Sequence, residues 1–187
     1  MTFSHQRRVE FRDTDAAGIV HFSVFFPMME EAEHAALRHV GLSVMQRVDA
    51  EGHLSWPRVA VECQYLRPAR FEDLLRIEVV VQRIGRTSVS YGFEFFRDSD
   101  PAPPECLASG KITAVCCHWT AGGPLRKAAI PAPVRSALSR LLAGVAADSA
   151  HDRAAPSDQD RAAPSDHAQA AAADYDGAAP TDPHRAP

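Results

Sequence analysis

Cysteine is scarce in this chain: four among 187 residues, namely Cys63, Cys106, Cys116 and Cys117. None shows the paired spacing of a metal site, and reduced thiols of a cytoplasmic protein are the expected state. The adjacent Cys116 and Cys117 would face opposite sides of a strand. A basic excess is also missing. Twenty Lys and Arg stand against 24 Asp and Glu, a net charge of -4, which argues against a nucleic-acid partner. The opening residues MTFSHQRRVEF lack the apolar core of a signal peptide, and no run approaches membrane-spanning length. A cytoplasmic protein with no membrane partner is expected. From about Ala143 the branched aliphatics nearly vanish, Tyr175 is the one aromatic, and DRAAPSD occurs at both 152–158 and 160–166. Such a stretch cannot bury enough surface to offset the entropy of ordering it. The reading is a folded domain over 1–142 and a disordered Ala/Pro/Asp-rich tail over 143–187.

Within 1–142, apolar patterns of two periods follow one another. Residues 6–12 alternate loosely and predict a first strand. Phe25, Phe26, Met29, Ala32, Ala36, Leu37 and Val40 recur at steps of three and four, predicting a helix from about Ser23, its N-cap, to Val40. Gly41 is placed to stop it. Pro27 would remove a helical hydrogen bond, so either the regular helix starts later than Ser23 or its first turn is distorted. A polar loop over 46–56 follows, then strands over 58–66, 74–84, 87–97 and 106–119, and a short helix over 132–142. Val79, Val80 and Val81 suggest burial on both faces; Val89, Tyr91, Phe93 and Phe95 share one face. One strand, one long helix and four strands fit an α+β fold: a curved antiparallel sheet, its last four strands able to form a meander, wrapped around one central helix. A single helix covers only part of such a sheet, so a homodimer or homotetramer is expected.

The stretch FRDTDAAGIVHFSVFFP, residues 11–27, holds more polar chemistry than a strand-to-helix turn needs. An isolated D-x-D is common in caps and calcium loops. Here V-E-F-R-D-T-D-A-A-G-I-V-H-F, followed by an E-E-A-E helix and G-L, resembles the 4-hydroxybenzoyl-CoA thioesterase family of hotdog-fold acyl-CoA thioesterases. The resemblance covers about residues 5 to 140 by element order; its specific part is Asp13, Asp15, Gly18 and Val20. It implies hydrolysis of an aromatic or short-to-medium aliphatic acyl-CoA, coenzyme A being part of the substrate and no cofactor or metal being required.

Thioester hydrolysis needs a group that attacks or activates water and a group that stabilises the oxyanion. The resemblance places the first at Asp15, as nucleophile or general base. It places the second in backbone N–H groups at the helix start, around His21 and Phe22, with Phe22 N–H as the polarising donor. Gly18 would let the backbone turn close to the acyl group, and Asp13 would brace the turn. His21 is a candidate for orienting water or holding the carbonyl; otherwise it is an ordinary turn histidine. Relatives usually carry a Tyr-His or aromatic pair at His21-Phe22 and a polar residue at Val24. Those departures, with Pro27, bear on the acyl pocket. Arg83, Arg86, Thr87 and Ser88, an R-x-S-like segment between the third and fourth strands, are the candidates for the coenzyme A phosphates; Arg67, Arg70, Arg126 and Lys127 are further basic positions. Glu31 and His34 make one E-x-x-H, where a carboxylate-bridged metal site needs two such motifs and two more glutamates. Glu30, Glu31, Glu33 and His34 are therefore read as a polar face or subunit contacts. Two alternatives are weighed: a hotdog dehydratase or hydratase, whose proline spacing after the histidine fails here, and a non-catalytic acyl-CoA-binding sensor or scaffold.

Overall fold

In the computed structural model, residues 2–47, 52–98, 103–120 and 123–142 are described. The expected tail, 143–187, lies outside the described residues. A first strand β1 (Phe3–Arg8) leads into a 3-10 turn, Phe11–Asp13, and a second 3-10 turn, Phe22–Val24, precedes the long helix α1 (Phe25–His39). Strands β2 (Gln46–Arg47), β3 (Gly52–Ser55), β4 (Arg58–Tyr65), β5 (Leu74–Ile84), β6 (Ser88–Arg97), β7 (Glu105–Val115), β8 (Cys117–Thr120) and β9 (Arg126–Lys127) follow, and helix α2 (Ala132–Ser139) comes last.

The first strand is shorter and earlier than its sequence pattern suggested. Asp13 accepts a hydrogen bond from the Glu10 N–H at 2.8 Å, which coils the chain at Phe11. The helix start resolves the question of Pro27. It is the third residue of α1, where an N–H has no intrahelical acceptor in any case, so its missing donor costs nothing. Ser23 is not the cap; His21 fills that place for the 3-10 turn. At the other end Gly41 takes φ +77°, Gly41 N–H bonds Arg38 O and Leu42 N–H bonds Leu37 O, a Schellman stop.

Among the described residues every strand pairs antiparallel with its neighbours, in the orders β1-β5-β6-β7-β4 and β2-β3-β8-β9. The expected four-strand meander therefore holds only for β5-β6-β7. Strand β4 crosses to the far side and pairs with β7, and β1 takes the place beside β5. The segment read as a loop, 46–56, contains β2 and β3. The fifth strand breaks at Cys116, yet the register carries across the break: Ser55 faces Cys117 and Arg58 faces Ala114. Trp56-Pro57 opposite Cys116 thus bends one long ladder into two sheets.

The concave side collects the alternating apolar residues. Leu75, Ile77, Val79 and Val81 of β5 and Val89, Tyr91, Phe93 and Phe95 of β6 are buried there. Val80, on the other face, is only partly buried, so β5 is not equally covered on both sides. Against this surface α1 buries Phe25, Met28, Met29, Ala32, Ala36 and Leu37. The helix comes close over β7 at Gly110, where a Cβ would stand 2.3 Å from Met29 Sδ. Helix α2 buries Val134 and Leu138, and Val81 N–H bonds Leu141 O just past it.

Candidate active site

The D-x-D segment folds into a short two-armed turn. Thr14 bridges Val20, Asp15 N–H bonds Ile19 O at 2.9 Å, and Gly18 N–H bonds Asp15 O at 3.0 Å. Asp15 Oδ1 accepts from Ala17 N–H at 2.8 Å, the self-bonding typical of turn aspartates. Its other oxygen has no hydrogen-bond partner among the described residues, and the side chain is half-buried. Gly18 has φ +73° with open space where a Cβ would sit, so the backbone conformation is what calls for glycine. Behind the turn, Val20 N–H bonds Ala69 O and Ile19 bridges Arg70.

Asp13 is 4% exposed and anchors this turn. Arg7 donates to both its oxygens, Nη1 to Oδ2 at 2.6 Å and Nη2 to Oδ1 at 3.1 Å. Arg7 Nε donates to Glu31 of α1 at 2.8 Å. One guanidinium thus ties β1, the turn and the helix together. Burial alone would raise the Asp13 pKa, but the Arg7 bonds, the Glu10 N–H and Coulombic attraction outweigh it and hold the carboxyl below its usual range.

At the helix start, His21 N–H bonds Asp13 O at 2.9 Å and the His21 Nδ1 lies 2.8 Å from Ser23 Oγ. The imidazole packs on the Phe22 ring, centroids 4.4 Å apart. Tyr65 donates its hydroxyl to Phe22 O at 3.0 Å, fixing the peptide from the β4 side. The Phe22 N–H opens the 3-10 turn, and no acceptor for it is found among the described residues. Because Asp13 faces His21 across the two arms, Asp15 and Phe22 stand about three residues of strand rise apart, roughly 10 Å between Cα atoms.

Beyond Phe22 a groove of about 250 Å³ runs between α1 and the β4 edge, lined by Phe26, Pro27, Glu30, Arg58, Val61 and Ile112. Beneath its far end lies a residue that the sequence reading misplaced. Glu33, assigned to a polar face or a subunit contact, is 1% exposed inside the core. The signal was available: Glu33 falls between Met29 and Leu37 at four-residue steps, on the apolar stripe. Arg58 Nη2 donates to Glu33 Oε2 at 2.8 Å, while Oε1 has no partner among the described residues. Burial pushes the Glu33 pKa up to about 7 against the pull of Arg58, helped by the negative charge of Glu30. Glu31 and His34, the E-x-x-H pair, make separate contacts, one with Arg7 and the other beside Arg58. Among the described residues no group of three His, Cys, Asp or Glu could hold a metal ion.

The structure does not bring Arg83, Arg86, Thr87 and Ser88 to this end of the chain. They form the β5–β6 hairpin, whose carbonyls at Ile84, Gly85 and Arg86 accept bonds from Arg135 after α2 begins. The Asp15 turn lies by the Leu74 end of β5, the hairpin at its Ile84 end. Eleven residues of strand separate the two by about 33 Å. Arg70, by contrast, is adjacent to the turn. Arg67 pairs with Glu105, and Arg126 and Lys127 sit on β9.

The sequence profile of the thioesterase superfamily matches residues 17–103. A 1,4-dihydroxy-2-naphthoyl-CoA hydrolase of Synechococcus elongatus is 30% identical over 99 residues, 53% of this chain and 73% of that protein. The crystal structure of a 1,4-dihydroxy-2-naphthoyl-CoA thioesterase from Synechocystis superimposes with a TM-score of 0.63 at 24% identity, covering 75% of this chain and 98% of that one. A 4-hydroxybenzoyl CoA thioesterase variant in complex with 4-hydroxybenzoyl CoA gives a TM-score of 0.63 at 21% identity, over 73% and 98% of the two chains. The chain belongs to the thioesterase superfamily and has its hotdog fold; the named relatives are acyl-CoA thioester hydrolases. Among the described residues no helix is long and apolar enough to cross a membrane.

Proposed function

We propose that the protein hydrolyses an acyl-CoA to the free acid and coenzyme A with Asp15 as the reacting carboxylate. The observation that carries this reading is the pairing of a fixed Asp15 with a Phe22 N–H at a helix start, where one Asp15 oxygen and that N–H have no hydrogen-bond partner among the described residues. A thioester carbonyl bonded to that N–H presents its carbon toward the Asp15 turn. A donor fixed where negative charge develops is worth about 3–4 kcal/mol in the transition state. Asp15 then either attacks the carbonyl, giving an anhydride that water opens, or draws a proton from the attacking water. Asp13 positions the turn, and His21 holds the helix start through Ser23. The four cysteines are free thiols, the state a reducing cytoplasm maintains.

A second copy of the chain belongs at the β4 edge. This edge strand leaves Val59 60%, Val61 42% and Tyr65 46% exposed, beside an exposed Phe22. Antiparallel pairing of β4 with its twofold mate reverses the partner's sheet. The partner's β5–β6 hairpin then lies at the same end as the Asp15 turn. That arrangement gives Arg83, Arg86, Thr87 and Ser88 a role at the coenzyme A phosphates of the neighbouring site, which they cannot have within one chain.

Free-thiol release from a panel of aromatic and aliphatic acyl-CoAs, for wild type and Asp15→Asn, tests the reaction. Turnover that falls at least about a hundredfold in the variant is expected. Equal turnover by both would remove Asp15 from the chemistry. Label in the Asp15 carboxylate after a single turnover in ¹⁸O water identifies the nucleophilic route, with water opening the anhydride at the Asp15 carbonyl; water activated by Asp15 as base puts label into the acid product alone.

A further inference from the structure

A carboxylate on the apolar stripe of a core helix is costly, and the hydrolysis described above makes no use of it. Glu33 nevertheless occupies that place, and its single strong partner is Arg58. Arg58 Nη1 also donates to Trp56 O at 2.7 Å, and Nη2 stands 3.3 Å from His34 Nε2 and 3.6 Å from Glu30 Oε1. A guanidinium carries five N–H donors. Glu33 and Trp56 O hold the group rigidly in place and leave others over. The side chain is 21% exposed, and it lines the groove along α1. The groove is therefore apolar along Phe26, Pro27, Val61 and Ile112 and polar at the end, where Arg58 and Glu30 stand.

Its length can be read from the helix. Phe26 is four residues past Phe22 and Glu30 eight, so the groove begins roughly 6 Å from the polarising N–H and ends roughly 12 Å from it. A volume of about 250 Å³ is below the 300–1,000 Å³ typical of drug-sized ligand sites, which suits a medium acyl tail better than a long fatty chain.

We propose that Arg58, held by Glu33, is a specificity-determining residue that closes the acyl groove and selects acyl groups ending in an uncharged hydrogen-bonding group, such as a hydroxyl, about eight carbons from the thioester. The inference rests on the acyl-CoA hydrolase reading, with the carbonyl at Phe22. A terminal hydroxyl can accept from Arg58 and donate to Glu30. A terminal carboxylate would meet the Glu30 carboxylate, which shares the groove end with Arg58. A methyl end would strip water from Arg58 and return nothing. The length follows from a zigzag chain with bonds of about 1.5 Å.

The test compares octanoyl-CoA with 8-hydroxyoctanoyl-CoA by kcat/KM, and octyl-CoA with 8-hydroxyoctyl-CoA, thioethers that cannot be hydrolysed, by calorimetry. Wild type should favour the hydroxylated member of each pair at least tenfold, with the kinetic difference carried mainly by KM. Arg58→Met should reverse the order. Because that change strands Glu33 in the core, the double variant Arg58→Met/Glu33→Leu, which removes both charges, is measured beside it and should also reverse the order. A wild type that treats the members of both pairs alike overturns the inference, as does a double variant that keeps the hydroxyl preference. If no acyl-CoA is hydrolysed, the hydrolase reading fails by itself, and the thioether affinities still decide the role of Arg58.

Discussion

Removing either member of the Arg7–Asp13 pair should destabilise the protein and loosen the turn that carries Asp15. The two substitutions are not equivalent. In Asp13→Asn, Arg7 keeps Glu31 at 2.8 Å, so its charge is not stranded; a loss of about 2–3 kcal/mol is expected. In Arg7→Met, Asp13 stays 4% exposed with the Glu10 N–H as its remaining strong donor. The loss should reach about 3–5 kcal/mol, the range for a buried pair broken from one side. That is a large share of a domain stability of about 5–15 kcal/mol. The double variant should lose less than the two singles together, because neither charge is then left alone. Urea unfolding at pH 7 measures all four corners of this cycle. Its pH dependence is fixed by the depressed Asp13 pKa. Asp13 is ionised in both states above its unfolded value near 3.8, so its full contribution is present there. It is lost as pH falls through the lower folded value. The gap between wild type and Asp13→Asn should accordingly be constant from pH 5 to 7 and close below pH 4. Coupling under about 0.5 kcal/mol at pH 7, or a gap that widens in acid, would refute the reasoning.

Glu33 should give the opposite pH dependence. Its folded pKa of about 7 lies above the unfolded 4.5, so the folded state binds the extra proton between those values and stability falls as pH rises through that window. The total is on the order of 3 kcal/mol, and Glu33→Gln should flatten it in urea titrations at pH 5, 6, 7 and 8. Gly110→Ala would set a Cβ 2.3 Å from Met29 Sδ and should cost about 1–3 kcal/mol through overpacking. Met29→Ala in the same chain should make the second change cheaper than it is alone, as read by thermal unfolding. Val59→Lys, at the exposed β4 edge and outside the groove, should shift a dimer to monomer in sedimentation velocity while leaving the far-ultraviolet spectrum unchanged; a monomeric wild type would remove β4 as the contact.

The parts of this fold legible in the sequence are those whose causes are local. Asp15 and Gly18 fix a turn through bonds to residues within four positions, Asp13 braces it through partners within eight, and Gly41 stops α1 through its own φ. The alternation in β5 and β6 names their inward faces without knowledge of any partner. What the sequence did not disclose depends on distant pairing. Nothing within 58–65 says that β4 joins β7 rather than β5, since its alternation serves either neighbour, and the choice is made by the bend at Trp56-Pro57 opposite Cys116. The same distance hid Glu33: its position on the apolar stripe was legible, but a carboxylate there makes sense only with Arg58, 25 residues away. The bend that sends β4 to the sheet edge also aims Arg58 back at α1. The crossover therefore leaves β4 open to a second copy, makes the outer wall of the groove and delivers the cation at its end. A change at Trp56 or Pro57 should for that reason disturb oligomerisation and acyl selectivity together, although neither residue lines the groove.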